Sequence, residues 1–470
     1  MSNFSVFQEK MQQAGVSAAA IRAFQNNFEC LVAGQTGLIP ESSIQSATGL
    51  SRLDEVRKSA SEASAADSPS QLLSQSVILK LNGGLGTSMG LEKAKSLLPI
   101  KNGLTFLDFI ARQVLWLRQK HGTNLRFLLM NSFSTSADTC SFLGKYPELG
   151  DARSLELMQS AVPKVDAQTL RPVSWSRQPD LEWCPPGHGD LYPSLQGSGW
   201  LDRFLAEGVK YLFVSNSDNL GATLDPDLLR YFANSGRSFL MEVCERTASD
   251  RKGGHLARRD GRLLLRESAQ CPDADTTAFQ DIEKHRFFNT NNLWIRLDHL
   301  KALLDEQGGY LPLPIIKNAK TVDPRDTFST KVFQLETAMG SAIECFQDSD
   351  AMVVPRTRFA PVKTTADLLA LRSDAFEVTE DFRLLLAPEC RGVPPMIDLD
   401  GAYYKLVDQL TARTAGGVPS LVHCHQLTVR GPVEFQTGNI LRGKVSLRVN
   451  GSVPRVLPAG EYQDSTVELK

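Results

Sequence analysis

Between Leu81 and Lys95 the chain reads Leu-Asn-Gly-Gly-Leu-Gly-Thr-Ser-Met-Gly-Leu-Glu-Lys-Ala-Lys, with four glycines in eight positions and then two lysines. Glycine has no Cβ, so successive backbone N–H groups can close on a phosphate, and an ammonium just beyond them adds a full positive charge. Such a loop is a cradle for nucleotide phosphates, and the two lysines are expected on the first turns of a following helix. Spacing excludes two common cradles. A dinucleotide fingerprint needs G-x-G-x-x-G, yet after Gly84 and Gly86 the third position is Met89; a Walker loop needs G-x-x-x-x-G-K, yet Ser88, Met89 and Leu91 stand where its second glycine belongs.

Other strings carry compatible chemistry. Val214-Ser-Asn216-Ser-Asp218-Asn-Leu-Gly221 ends an apolar run with a carboxylate flanked by amides, which suits a hard cation such as Mg²⁺ that also takes phosphate oxygens and water. Pro185-Pro-Gly-His188-Gly-Asp190 is a stiff turn that presents one imidazole between two glycines. Gly253-Gly-His-Leu-Ala257, Leu265-Arg-Glu267-Ser-Ala-Gln270 and Phe287-Phe-Asn289-Thr-Asn291-Asn292 supply residue types that hydrogen-bond sugar hydroxyls. Lys363, in Arg358-Phe-Ala-Pro-Val-Lys-Thr, reads by itself as a solvated lysine. His423-Cys424-His425 has the flavour of a metal site, but no second ligand pair is near it, so it reads as a surface or core pair.

These groups need a scaffold. With 470 residues, two or three domains are expected, and 42% hydrophobic with 22% charged residues is the make-up of a soluble globular protein. A net charge of −2 gives no broad attraction to nucleic acid or anionic membrane, so any anion site must be built locally. No apolar run approaches the ~20 residues of a membrane span, and no signal-peptide core is seen at the N-terminus. Eight scattered cysteines without a C-x-x-C pair point to reduced thiols and a cytoplasmic setting.

Residues 1–45 read as a helical segment, with Phe7, Met11, Val16, Ala20, Ile21 and Phe24 at roughly helical spacing. Ser59 to Gln71 reads as an exposed loop. From 46 to 365, strands expected at Ser76–Leu81, Leu125–Asn131, Tyr211–Ser215, Ser238–Cys244, Asn292–Ile295 and Ala351–Pro355 alternate with helices such as Thr105–Lys120 and Trp200–Glu207. That pattern predicts an α/β unit with a mainly parallel sheet covered on both faces, and ligands beyond the carboxyl ends of its strands. From 366 to 470, after a short helix at Thr365–Ser373, short strands punctuated by Gly431-Pro432, Thr437-Gly438 and Asn450-Gly451 predict a β-rich domain, either a sandwich or a β-helix.

Taken in order, the glycine loop, Met158-Gln159 with Val162-Pro-Lys164, PPGHGD, SNSDNLGA, GGHLA, RESAQCP, FNTNNLW and FAPVKT resemble the eukaryotic UTP–glucose-1-phosphate uridylyltransferases along nearly the whole chain, most of all the shorter protozoan members. The resemblance implies a Rossmann-like nucleotidyltransferase sheet and a small parallel β-helix at the C-terminal end. It also implies the reaction of UTP with glucose 1-phosphate to give UDP-glucose and pyrophosphate, with Mg²⁺ as cofactor. By the same resemblance Leu81, Gly83, Gly84, Gln159 and Gly189 would hold uracil, and Lys95 the phosphates that leave. Asp218 would bind Mg²⁺, and His188 and Lys363 would contact the sugar phosphate. Asn216, Gly254, Glu267, Asn289 and Asn291 would read the glucose hydroxyls. Lys93 is left as an extra phosphate contact or a surface residue. Rival readings are a pyrophosphorylase for N-acetylhexosamine or for many sugars, and a sugar-nucleotide sensor without activity. Monomer and oligomer are both open.

Overall fold

An apolar strand can lose both faces to the core only where helices cover both, and the run from Ser76 to Asn82 does so in the computed structural model, which describes residues 4–60 and 68–470. Ile78 joins one apolar cluster with Phe106, Phe109 and Trp294, while Val77 and Leu79 join another with Leu191, Leu195 and Leu300 on the opposite face. This strand, β1, lies in a sheet with β2 (Arg126–Asn131), β3 (Glu156–Met158), β4 (Tyr211–Asn216), β5 (Phe239–Glu245), β8 (Phe287–Arg296) and β9 (Ser349–Val353). A hairpin of β6 (His255–Arg259) and β7 (Arg262–Arg266) joins it through β8. From edge to edge the order is Ser51–Arg52, β9, β5, β8, β4, β1, β2, β3.

The neighbours β4, β1, β2 and β3 pair in parallel, as do β5 and β9. Strand β8 is the exception, running antiparallel to both β4 and β5. It is also longer than the expected Asn292–Ile295. The FNTNN segment, which by composition suggests a turn, lies within the strand and carries a register shift opposite Glu242 and Val243. Being antiparallel, β8 brings its first residues, not its last, to the edge where β1 and β4 end.

The N-terminal residues form α1 (Ser5–Gln13) and α2 (Ala18–Val32), the latter started by the Ser17 hydroxyl accepting from Ala20 N–H. Phe4, Phe7, Phe24 and Phe28 interlock with ring centroids 4.8–6.4 Å apart and pack on Val162, Val165 and Ile315. Both ends of the expected loop from Ser59 to Gln71 are helical instead, in Leu53–Ala60 and Pro69–Ser74, and its residues 61–67 lie outside the described residues. Helix α3 (Phe106–His121) starts on a capping box of Thr105 and Asp108, and α4 (Trp200–Ala206) forms at the expected Trp200–Glu207. Among the described residues no helix is long and apolar enough to cross a membrane.

Beyond α5 (Thr365–Arg372) the chain winds through β10 (Met396–Leu399), β11 (Ser420–Arg430), β12 (Asn439–Val449), β13 (Gly460–Gln463) and β14 (Thr466–Leu469). Every pair among them is parallel. Parallel neighbours cannot be joined by tight hairpins, so the glycine-bearing turns serve as corners of a stacked coil, and a sandwich of hairpins is excluded. Leu421, Leu427, Leu441 and Leu447 point into the coil and continue the apolar cluster of the sheet face below. His423 and His425 share the outer face and are exposed.

Asn439 pins one corner. It is buried, its Nδ2 donates to the carbonyls of Leu457 (3.2 Å) and Pro458 (2.7 Å), and its Oδ1 accepts from Gln436 N–H at 2.8 Å. Asn439→Ala would leave Gln436 N–H and Pro458 O without these partners, while Leu457 O keeps its bond from Gln436 Nε2, at about 1–3 kcal/mol for an unsatisfied group. Urea unfolding should show a lower midpoint; an unchanged midpoint would show that water satisfies the corner instead.

Candidate functional site

Parallel pairing of β1 with β4 places Leu81 opposite Asn216, so the loops that leave these strands open side by side. Ser217 N–H donates to Leu81 O at 3.0 Å and ties them together. The glycine loop does not lead into the expected helix. It makes two single 3₁₀ turns, Thr87–Met89 and Lys95–Leu97, and Lys95 N–H donates back to Gly84 O at 3.1 Å. That closure sends the Lys95 side chain across the cleft. Its Nζ pairs with Asp218 Oδ2 at 2.6 Å and also donates to the carbonyl of Val362. Lys93 is exposed on the same loop, and Leu406 of the C-terminal part packs over Gly90.

On the far side of the glycine loop stands Gln159, just after β3. Its Oε1 is so near Gly83 that a methyl group added there would lie 2.8 Å from it, and its Nε2 donates to Gly187 O at 2.9 Å. The adjoining turn is held by Asp190, whose Oδ2 accepts from Ser160 N–H and Ser194 Oγ, both at 2.7 Å. Burial pushes the Asp190 carboxyl up to about 6, against the pull of these donors. Gly189 is buried against Thr337. His188 is half-buried, and its Nδ1 accepts from Met339 N–H at 2.9 Å. A backbone N–H can only donate, so the neutral ring carries its proton on Nε2. Burial also depresses its pKa to about 4.

A third group faces the cleft from β6, β7 and β8. Glu267 Oε2 packs against Gly254, where a methyl group would come within 2.4 Å. Burial raises the Glu267 pKa, and the nearby Lys363 ammonium acts against that rise. Asn289 and Asn291 hold one another: Asn289 Nδ2 donates to Asn291 Oδ1 at 2.8 Å, and Asn291 N–H to Asn289 Oδ1 at 2.9 Å. Asn291 adopts φ 60° where the strand register shifts. Asn292 points the other way, into a buried network, which separates it from the pair. Lys363 is exposed at the start of α5 and follows the carbonyl that Lys95 grips.

Sequence reading missed the groups beneath the cleft. Glu242, fully buried on β5, accepts from Arg358 Nη2 (2.6 Å), Arg358 Nε (2.7 Å), Trp294 Nε1 (2.9 Å) and Asn292 Nδ2 (3.0 Å). Lys80, buried in the middle of β1, donates to Ser215 Oγ at 2.8 Å and Ala222 O at 2.6 Å, bracketing both ends of the Asp218 loop. Burial, with Arg358 nearby, brings its pKa down to about 7. The signal was present as Lys80 and Glu242, each set between apolar neighbours in the middle of a strand, SVILKLN and FLMEVCE.

Asp218 fits a divalent cation only in part. Among the described residues no group of three His, Cys, Asp or Glu side chains could hold a metal by itself. A lone carboxylate is enough where phosphate oxygens and water complete the shell, as Mg²⁺ prefers.

Comparison with known proteins gives a consistent picture. The family model for UTP–glucose-1-phosphate uridylyltransferase matches residues 21–442. Proteins of that name from Hordeum vulgare and Saccharomyces cerevisiae are 40% and 41% identical, each over 84% of this chain and over 81% and 78% of their own. A variant of UDP-glucose pyrophosphorylase from Leishmania major, solved in complex with UDP-glucose, superposes with a TM-score of 0.93 at 50% identity, covering 100% of this chain and 99% of its own. A Trypanosoma brucei UDP-glucose phosphorylase superposes with a TM-score of 0.89 at 50% identity, covering both chains fully.

The His188 geometry makes a measurable claim. NMR titration of its ring should show a midpoint near 4, not near 6.5. The unfolded chain takes this proton near 6.5 and the folded one resists it, so the ring leaves stability unchanged above about 6.5 and lowers it as the pH falls toward 4. A midpoint at the ordinary value would contradict the Nδ1 acceptor role.

Proposed function

The chain belongs to the UTP–glucose-1-phosphate uridylyltransferase family, and we propose that it carries out that family's reaction with the groups assembled at the carboxyl ends of β1 and β4. UTP and glucose 1-phosphate give UDP-glucose and pyrophosphate. A phosphate oxygen of the sugar is already a nucleophile at neutral pH, so the protein needs no side-chain nucleophile. Its tasks are to align that oxygen with the α-phosphorus and to stabilise the charge that moves to the leaving group.

The observation that carries this reading is the meeting of Lys95, Asp218 and the Val362 carbonyl, with Lys363 next in sequence. Lys95 neutralises the leaving pyrophosphate, and Lys363 holds the sugar phosphate from the opposite wall. His188, a neutral donor through Nε2–H, adds a hydrogen bond to that phosphate without adding charge. Gln159 Nε2 is committed to Gly187, which leaves its Oε1 and the backbone near Leu81, Gly83, Gly84 and Gly189 to read the uracil edge. Asn216, Gly254, Glu267 and the Asn289–Asn291 pair line the sugar end. Mg²⁺, held by Asp218 and the nucleotide's phosphates, would supply further charge neutralisation in a cleft less screened than water. A cytoplasmic setting accords with the eight free thiols.

Lys95→Ala should lower turnover by about 10²–10³-fold, the usual effect of removing one group that stabilises the transition state, while calorimetry shows UDP-glucose still bound. Turnover near that of the wild type would remove Lys95 from the leaving-group role. Activity should vanish in excess EDTA and return with Mg²⁺ or Mn²⁺; persistence under chelation would contradict the metal assignment of Asp218.

Sugar choice distinguishes this reading from its nearest rival. A site that hydrogen-bonds hydroxyls rejects analogues that leave its buried polar groups unpaired, often by ~10⁴. In a competition assay, glucose 1-phosphate should far exceed N-acetylglucosamine 1-phosphate, whose acetamido group needs added room at C2. Parity within about tenfold in kcat/KM would favour the N-acetylhexosamine reading.

A further inference from the structure

The buried pair of Arg358 and Glu242 lies below the cleft and bonds β8, the end of the Asp218 loop and the segment that leads to Lys363. Glu242 sits on β5 with both oxygens filled by Arg358, Trp294 and Asn292. Arg358 also donates through Nη2 to Thr223 O at 2.9 Å, where the Asp218 loop ends. Its own carbonyl accepts from Asn219 Nδ2 at 3.1 Å and Asn292 Nδ2 at 3.3 Å. Asn219 Oδ1 in turn accepts from Ala360 N–H at 2.9 Å. The two segments are so close that a methyl group at Gly221 would lie 2.4 Å from Thr357 O. Asp218 thus stands on one of two clamped segments, and Val362 and Lys363 follow on the other.

Stability alone does not call for such a pair. Buried ion pairs can often be replaced by apolar residues of similar volume with no loss, whereas removing one partner leaves an uncompensated charge. A planar guanidinium that meets a carboxylate through two N–H groups instead fixes direction as well as distance. We propose that Arg358 and Glu242 are positioning residues for the transfer reaction: they set where Val362 and Lys363 stand relative to Asp218, and so where the sugar phosphate meets the α-phosphorus. This rests on the reading that Lys363 holds the sugar phosphate. Misplacement of a reacting group by about 1 Å can cost ~10²-fold in rate.

The test separates folding from alignment. In the double variant Glu242→Leu with Arg358→Met, the thermal midpoint should fall, because Trp294 Nε1–H and Thr223 O lose their partners, yet the protein should stay folded at the assay temperature while kcat falls about 10²-fold. KM for glucose 1-phosphate should rise, and KM for UTP should stay within about threefold, because the uracil end is built by other segments. Arg358→Lys keeps the charge without the planar fork and should fold yet lose about tenfold in kcat; it decides the matter if the double variant fails to fold. A folded double variant, or folded Arg358→Lys, with wild-type kcat and KM values would overturn the proposal. Lys363→Ala, measured alongside, tests the other reading separately: if it retains the wild-type KM for glucose 1-phosphate, Lys363 does not hold the sugar phosphate, whatever the pair does.

Discussion

Two adjacent strands that run the same way must end at the same edge, and everything at this site follows from β1 and β4 doing so. Their register sets Leu81 beside Asn216, which delivers a lysine-bearing loop and a carboxylate-bearing loop to one place. Strand β8 then contributes from the opposite direction. Because it is antiparallel, its Leu293 lies across from Val214, and the asparagines that precede it lie toward the carboxyl end of β4. A fully parallel sheet would have carried those asparagines to the wrong edge.

Charge in the cleft is a local construction. The chain's net charge is only −2, so a substrate carrying several phosphates meets attraction only where cations are gathered. Lys95 and Lys363 reach the cleft from different walls, with a neutral imidazole between glycines at a third point. Asp218 and the Val362 carbonyl hold the Lys95 ammonium and so fix the direction of its long side chain. Beneath this lies a second tier, Lys80, Arg358 and Glu242, which meets the segments of the cleft rather than the reactants.

The C-terminal coil reaches the site at two points. Helix α5 begins two residues after Lys363, on the N-cap Thr364, and Asp367 Oδ2 accepts from the backbone N–H groups of Lys363 (2.8 Å) and Thr364 (2.7 Å). The Thr365 hydroxyl then bonds the carbonyl of Tyr404, and two residues later Leu406 covers Gly90 of the glycine loop. Through these contacts the coil meets both the loop that carries Lys95 and the segment that carries Lys363.

What could be read from the amino-acid order was local. Apolar runs marked β1, β2, β4 and β5 to within a residue or two, because a strand buried on both faces leaves little else for its side chains to do. The density of glycine marked the phosphate loop, and the order of short motifs marked the family. Tertiary structure decided the rest. Nothing in the sequence fixes the direction of β8, since apolar spacing is the same read either way along a strand. Nor does it pair Lys95 with Asp218, 123 residues away, or turn Asn292 from the cleft while Asn289 and Asn291 grip each other. Glu242 and Arg358 stand 116 residues apart, and no spacing links them. Only the packing of β5 against the 357–361 segment removes water from both and makes each the partner the other must have.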